Sequence, residues 1–151
     1  MINRYFYKSS INDFISSSVD TIFGQLSRSD EMDTSATQKF AWEEEIRIMQ
    51  NVLRPWKKEN AEIIFEYTIP RLGKRIDVVL LLQERVFVIE FKAGETDYLH
   101  QDVDQVMDYA LDLKNFHQGS AERMIVPILV ATDSTQHSSI CKPSHYDDGV
   151  Y

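Results

Sequence analysis

The chain has 151 residues, 43% of them hydrophobic and 26% charged, with only five glycines and four prolines. That is the size and make-up of about one globular domain, and it excludes collagen-like, mucin-like and broadly disordered classes. A net charge of −8 argues against binding nucleic acid through bulk basicity, since phosphate contacts need Lys and Arg.

In chain order, the opening MINRYFYKSS has no apolar signal segment. Residues 9–26 carry Ile11, Phe14, Ile15, Val19, Ile22, Phe23 and Leu26 at helical spacing, with Ser9 or Ser10 as cap. Residues 27–37 are polar and read as a loop. From Gln38 to Leu53, Trp42, Ile46, Met49, Val52 and Leu53 mark an amphipathic helix ended by Pro55. Residues 62–69 read as a strand and Pro70 to Lys74 as a turn. Strands over 75–83 and 85–92 follow, joined as a hairpin at Gln83–Glu84. Residues 98–118 form a long helix, and 124–132 (MIVPILVAT) a fully apolar, buried strand. The chain is then polar and turn-rich to its end. The longest apolar runs are too short to cross a bilayer, and the lone Cys141 fits a reducing compartment, so a cytoplasmic protein without membrane contact is expected. The order implies an α/β fold with a mixed sheet, the long helix crossing over to a parallel last strand.

Three ionisable groups interrupt the apolar hairpin: Asp77, Glu90 and Lys92. A turn at 83–84 brings residue 77 opposite 90 or 91, so Asp77 and Glu90 converge at one end of the sheet. Two close carboxylates repel, and one pKa rises unless a cation lies between them. Mg²⁺, which takes one or two carboxylates plus water, resolves the conflict, and Lys92 beside them can hold a water or offset developing charge. Asp77 taken alone reads as part of a salt-bridged edge that blocks aggregation; the three together point to a site. Gln105 and Tyr109, four apart on the long helix, share one face. Arg71, Lys74 and Arg75 form a basic group just before Asp77, and Arg54, Lys57 and Lys58 another after the first long helix; solvated loop charge is the plain reading of either alone. His100, His117, His137 and His145 lack the spacing of a helical zinc pair, Cys141 has no partner arrangement for a nucleophile, and there is no phosphate-binding G-x-x-x-x-G-K-[ST] loop.

RIDVVLL…VFVIEFK resembles the D…E-x-K core of the PD-(D/E)XK nuclease superfamily, and QVMDYALDL resembles the Q-x-x-x-Y motif of its RecB-type branch. The stretch from FEYTIPRLGKRIDVVLL to PILVAT is also similar to the nuclease-like N-terminal region of an uncharacterised bacterial family whose longer members add a helicase-type ATPase. The resemblance spans residues 38–132, leaving 1–37 as an N-terminal helix and loop and 133–151 as a polar tail before a further domain. It implies the restriction-endonuclease-like core (helix, three strands, helix, strand) and a Mg²⁺- or Mn²⁺-dependent nuclease acting on DNA, with RNA left open as the alternative substrate. An ATPase or helicase partner, in cis or in trans, is implied as well. Asp77 and Glu90 correspond to metal ligands, joined by the Phe91 backbone carbonyl, and Lys92 to the lysine that positions the attacking water. Gln105 and Tyr109 would orient water, lysine or the bound strand. A first-helix glutamate often joins such sites. Of Glu43, Glu44 and Glu45, only Glu45 shares the buried side with Trp42 and Ile46. Arg71, Lys74 and Arg75, with the Arg54–Lys58 group, would supply phosphate contacts. Ile76 stands where the family pattern has a dispensable proline. The competing expectation is a catalytically silent nucleic-acid- or protein-binding module of a larger motor protein.

Overall fold

The computed structural model describes residues 4–30, 35–69, 72–116 and 122–134. The expectations for Pro70, Arg71, His117, His137, Cys141 and His145, and for nearly all of the polar tail, lie outside these residues.

β1 (Tyr7–Ser10) leads into α1 (Ile11–Ser16), α2 (Val19–Ser29) and α3 (Ala36–Leu53). The single helix expected over 9–26 is thus a strand and two helices. The serine run explains the break. Ser10 accepts from the Asp13 N–H to start α1, Ser17 turns extended and closes it, and Ser18 accepts from the Thr21 N–H to start α2. Serine competes with helical backbone bonding in a helix interior and satisfies orphan N–H groups at an N-terminus. Consequently α2 enters the stretch expected to be a loop, and α3 begins at Ala36, capped by Ser35. A 3-10 turn containing Pro55 ends α3.

β2 (Ala61–Thr68), β3 (Arg75–Leu82), β4 (Arg85–Lys92), α4 (His100–Phe116) and β5 (Met124–Ala131) follow among the described residues. The sheet order is β1-β2-β3-β4-β5; neighbours are antiparallel except β4 and β5, which are parallel across the α4 crossover. The hairpin turns at Gln83–Glu84, with Gln83 at φ 56°. A tight two-residue loop needs positive φ to match strand twist.

Helices cover both faces, giving an α/β fold with a five-stranded mixed sheet. On one face Phe14, Ile22, Leu26, Trp42 and Ile46 pack on Phe65 and Val78, with the Phe14 and Phe65 ring centroids 5.6 Å apart. On the other, Val106, Ala110 and Leu113 of α4 pack on Ile64, Val79 and Val88. The N-terminal elements therefore belong to the same core as the hairpin.

β5 departs from expectation. Only Ile125 and Ala131 are buried, and its remaining residues are half-exposed. Among the described residues β5 is an edge strand, and on the α3 side its outward residues line an apolar groove of about 740 Å³ shared with Val52, Trp56, Leu82 and Phe87. A continuous apolar run encodes cover on both faces; among the described residues only the α4 face has it.

Candidate active site

The β3–β4 ladder runs from Leu82–Arg85 to Val78–Ile89. One rung further on, side chains take over. The Asp77 N–H donates to Glu90 Oε1 (2.9 Å), and the Phe91 N–H donates to Asp77 Oδ2 (2.9 Å). Asp77 and Glu90 therefore meet where the hairpin register predicts, and they meet by separating the strands.

Two further carboxylates approach them. Glu45 on α3 is 4% exposed, and its Oε2 has no hydrogen-bond partner. Burial pushes its carboxyl well above the usual range, and the charges of Asp77, Glu66 and Glu90 push it further. Glu66 on β2, at 1% exposure, accepts from Trp42 Nε1 (3.0 Å), and its Oε2 lies 3.6 Å from Arg75 Nε. Burial and the Asp77 charge raise it to about 7, against the pull of Trp42 and Arg75.

Burial and mutual charge favour a proton shared by the central pair. Burial, then the Asp77 charge, lifts Glu90 to about 9, so it is protonated at neutral pH. Burial also raises Asp77, opposed by the Phe91 amide, the hydrogen bond from Glu90 and the Lys92 and Arg75 charges. One proton shared between two carboxyls offsets the same repulsion that a cation would.

Lys92 is fixed from α4. Its Nζ donates to Gln105 Oε1 (2.8 Å) and lies 3.3 Å from Asp102 Oδ1; Gln105 Nε2 in turn donates to the Tyr109 hydroxyl (3.0 Å). Burial and the Glu90 charge raise the Tyr109 phenol. Gln105 and Tyr109 thus join Lys92 in one hydrogen-bonded line beside Glu90.

The basic groups divide. Lys74 lies 3.5 Å from Asp112 and 6.0 Å from the Tyr109 ring centroid, on the rim of a polar pocket of about 330 Å³ with Gln105 and Tyr109. Arg75 turns inward to Glu66 and stacks 5.0 Å over Phe6. Arg71 lies outside the described residues. Lys57 and Lys58 lead into Ala61, which pairs with Leu82 at the hairpin-turn end, far along the sheet from Asp77.

Glu66 and Asp102 were not singled out from the sequence. Asp102 lies three residues before Gln105, so helical spacing carried a usable signal. Glu66 carried none, since its partner Trp42 is 24 residues away.

Among the described residues no three His, Cys, Asp or Glu side chains form a ready metal cage. The donor chemistry nonetheless fits a hard divalent ion: carboxylate oxygens, one of them buried and unpartnered on Glu45. No family model matches the chain, nor does any curated protein or solved structure at the level that marks a relative.

Proposed function

We propose that the protein is a metal-dependent phosphodiesterase of the PD-(D/E)XK type that hydrolyses DNA. The observation that carries this reading is the unpartnered Glu45 Oε2, buried beside an Asp77–Glu90 pair that already needs a shared proton to coexist. Leaving a buried acceptor unsatisfied is costly, and a structural salt bridge would require no third carboxyl. Asp77, Glu90, Glu45 and the Phe91 carbonyl would hold Mg²⁺ or Mn²⁺, which when bound would supply Lewis-acid charge and a more acidic water.

The chain's own residues do the rest. The Phe91 N–H fixes one Asp77 oxygen and the Asp77 N–H one Glu90 oxygen, so neither carboxyl is free to rotate away. Lys92, oriented by Gln105 and Asp102, sets a cation beside the carboxyl pair, where it offsets charge growing on a phosphoryl oxygen. Tyr109 holds Gln105, and Lys74 at its ring offers a phosphate contact on the same side. A silent binding module is the second reading, favoured by the pairing of Lys92 with Asp102 and of Arg75 with Glu66.

The test is incubation of labelled single- and double-stranded DNA and RNA with the protein in Mg²⁺, Mn²⁺ or EDTA. Cleavage that needs the metal and disappears in Glu90→Ala and Lys92→Ala is expected. Activity in EDTA, or full activity in either variant, refutes the assignment.

A further inference from the structure

β2 and β3 change face at the same point. Phe65 and Val78 lie in the core under α1–α3, whereas Tyr67 and Ile76, two residues away on each strand, lie in the core under α4. Residues two apart on a regular strand share a face, so each strand slips by one side chain: β2 at Glu66, β3 at Asp77. Pairing continues with the same offset on both sides, Phe65 with Val78 and Tyr67 with Ile76, and passes over the rung between them. No residue is inserted. The slip is accommodated by Glu66, which takes φ 54°, a conformation that side chains with a Cβ rarely adopt.

A glutamate in a left-handed turn inside a sheet has to be held there. Three parts of the chain hold it. Trp42 of α3 donates to one carboxylate oxygen, Arg75 of β3 approaches the other, and Phe6, just before β1, supports Arg75 from beneath. The consequence falls on the residue opposite. With its rung to β2 passed over and its rung to β4 replaced by side-chain bonds, Asp77 departs from regular pairing on both sides, and its carboxyl reaches the Phe91 N–H.

We propose that Glu66 is a positioning residue whose tethered left-handed turn opens the β2–β3 ladder and aims the Asp77 carboxyl at β4. The inference rests on the nuclease reading for its purpose, because Asp77 needs aiming only if its carboxyl has something to bind. Its geometry can be tested without activity. A direct ligand would need the charge of Glu66; a positioning residue needs its acceptor oxygens and its turn.

The experiment is site-resolved hydrogen exchange on the metal-free 151-residue chain, reading the Phe91 amide against the Leu80 and Phe87 amides of the regular β3–β4 ladder. Glu66→Gly relieves the positive φ while removing the tethers. Phe91 is expected to exchange about tenfold faster relative to the two references, a local opening rather than a global one. Glu66→Gln, which keeps an acceptor for the indole, is expected to restore Phe91 protection to within about twofold. If Glu66→Gly does not fold, Trp42→Phe decides, since it keeps an aromatic ring and removes the N–H donor, and its packing loss is read in the two reference amides; the same selective loss is expected. Unchanged relative protection of Phe91 in the folded member of that pair overturns the proposal, as does a selective loss of Phe91 protection in Glu66→Gln. Failure of the nuclease reading appears separately, as a wild type that cleaves nothing in any metal.

Discussion

The two ends of the β3–β4 hairpin are built from the same kind of sequence and do opposite things. Toward the turn, backbone pairs with backbone from Val78–Ile89 to Leu82–Arg85, and the side chains between are apolar. At the open end, the Asp77 and Glu90 carboxyls replace the ladder and separate the strands. The first arrangement gains from burial, roughly 25 cal/mol for each Å² of apolar surface removed from water. The second sets carboxyls where desolvation opposes their charge, and burial and mutual repulsion raise the proton affinity of Glu45, Glu66 and Glu90. On the proposed reading, packing lies at one end of the hairpin and the carboxyl site at the other, so each should break without the other.

The largest effect should come from crossing the two ends. Lys92→Ala is expected to lower cleavage by about a hundredfold or more while leaving the melting temperature within a few degrees. Leu80→Ala, in the packed segment, should cost about 2–5 kcal/mol of stability while the folded fraction keeps its specific activity. A Lys92→Ala protein that melts early, or a Leu80→Ala protein inactive though folded, would mean the ends are not separable.

Next comes pH. Glu90 has a folded-state pKa of about 9 against an ordinary 4.5, so the folded state binds its proton more tightly than the unfolded state does. That contribution is fully present below pH 4.5 and is lost as pH rises toward 9; Glu66 adds a smaller loss between 4.5 and about 7. In EDTA, denaturant midpoints should therefore fall from pH 5 to pH 9, and Glu90→Gln should flatten the slope. A profile that rises over this range would show the carboxyls ionised and paired instead.

Asp77→Asn should act more gently. It removes one charge and keeps an oxygen for the Phe91 N–H, so the metal-free protein should melt at or above the wild-type temperature. The same variant should lose most of the stabilisation given by Mn²⁺, which amounts to about 2.7 kcal/mol at 100 times the dissociation constant. Strong destabilisation in EDTA would identify Asp77 as part of a structural bridge.

The smallest change belongs to the turn. Gln83→Gly suits φ 56° and should raise stability by about 1 kcal/mol or less, with cleavage untouched. A change in activity there would link the turn to the open end.

Much of this was legible in the chain. The hairpin register followed from a two-residue turn and period-2 alternation, which put Asp77 opposite residue 90 or 91. Helical spacing separated Glu45 from Glu43 and Glu44, and it set Gln105 and Tyr109 on one face; Glu45 is indeed buried and its two neighbours are not. These signals are local and periodic. What escaped was non-local or conformational. The positive φ of Glu66 goes with contacts to Trp42 and Arg75 from other segments, and nothing in the letter E encodes it. β1 is four residues long, too short for a period, and sits in a run whose apolar spacing suits a helix equally well. The apolar run of β5 promised two covered faces, but its burial was decided by what packs on the sheet, not by the strand itself.

The chain's two tryptophans also mark its two regions. Trp42, wholly enclosed, has its indole N–H on the Glu66 carboxyl, while Trp56 stands 47% exposed at the groove between α3 and β5. The molecule therefore carries its own pair of optical probes. Light emitted from Trp42 should respond to the ionisation of the Glu66 carboxyl that its indole N–H meets. Emission from Trp56 responds to whatever quencher or apolar molecule reaches the sheet's open flank. Iodide added to the solution silences the second and spares the first, so unlabelled protein can report on each place separately.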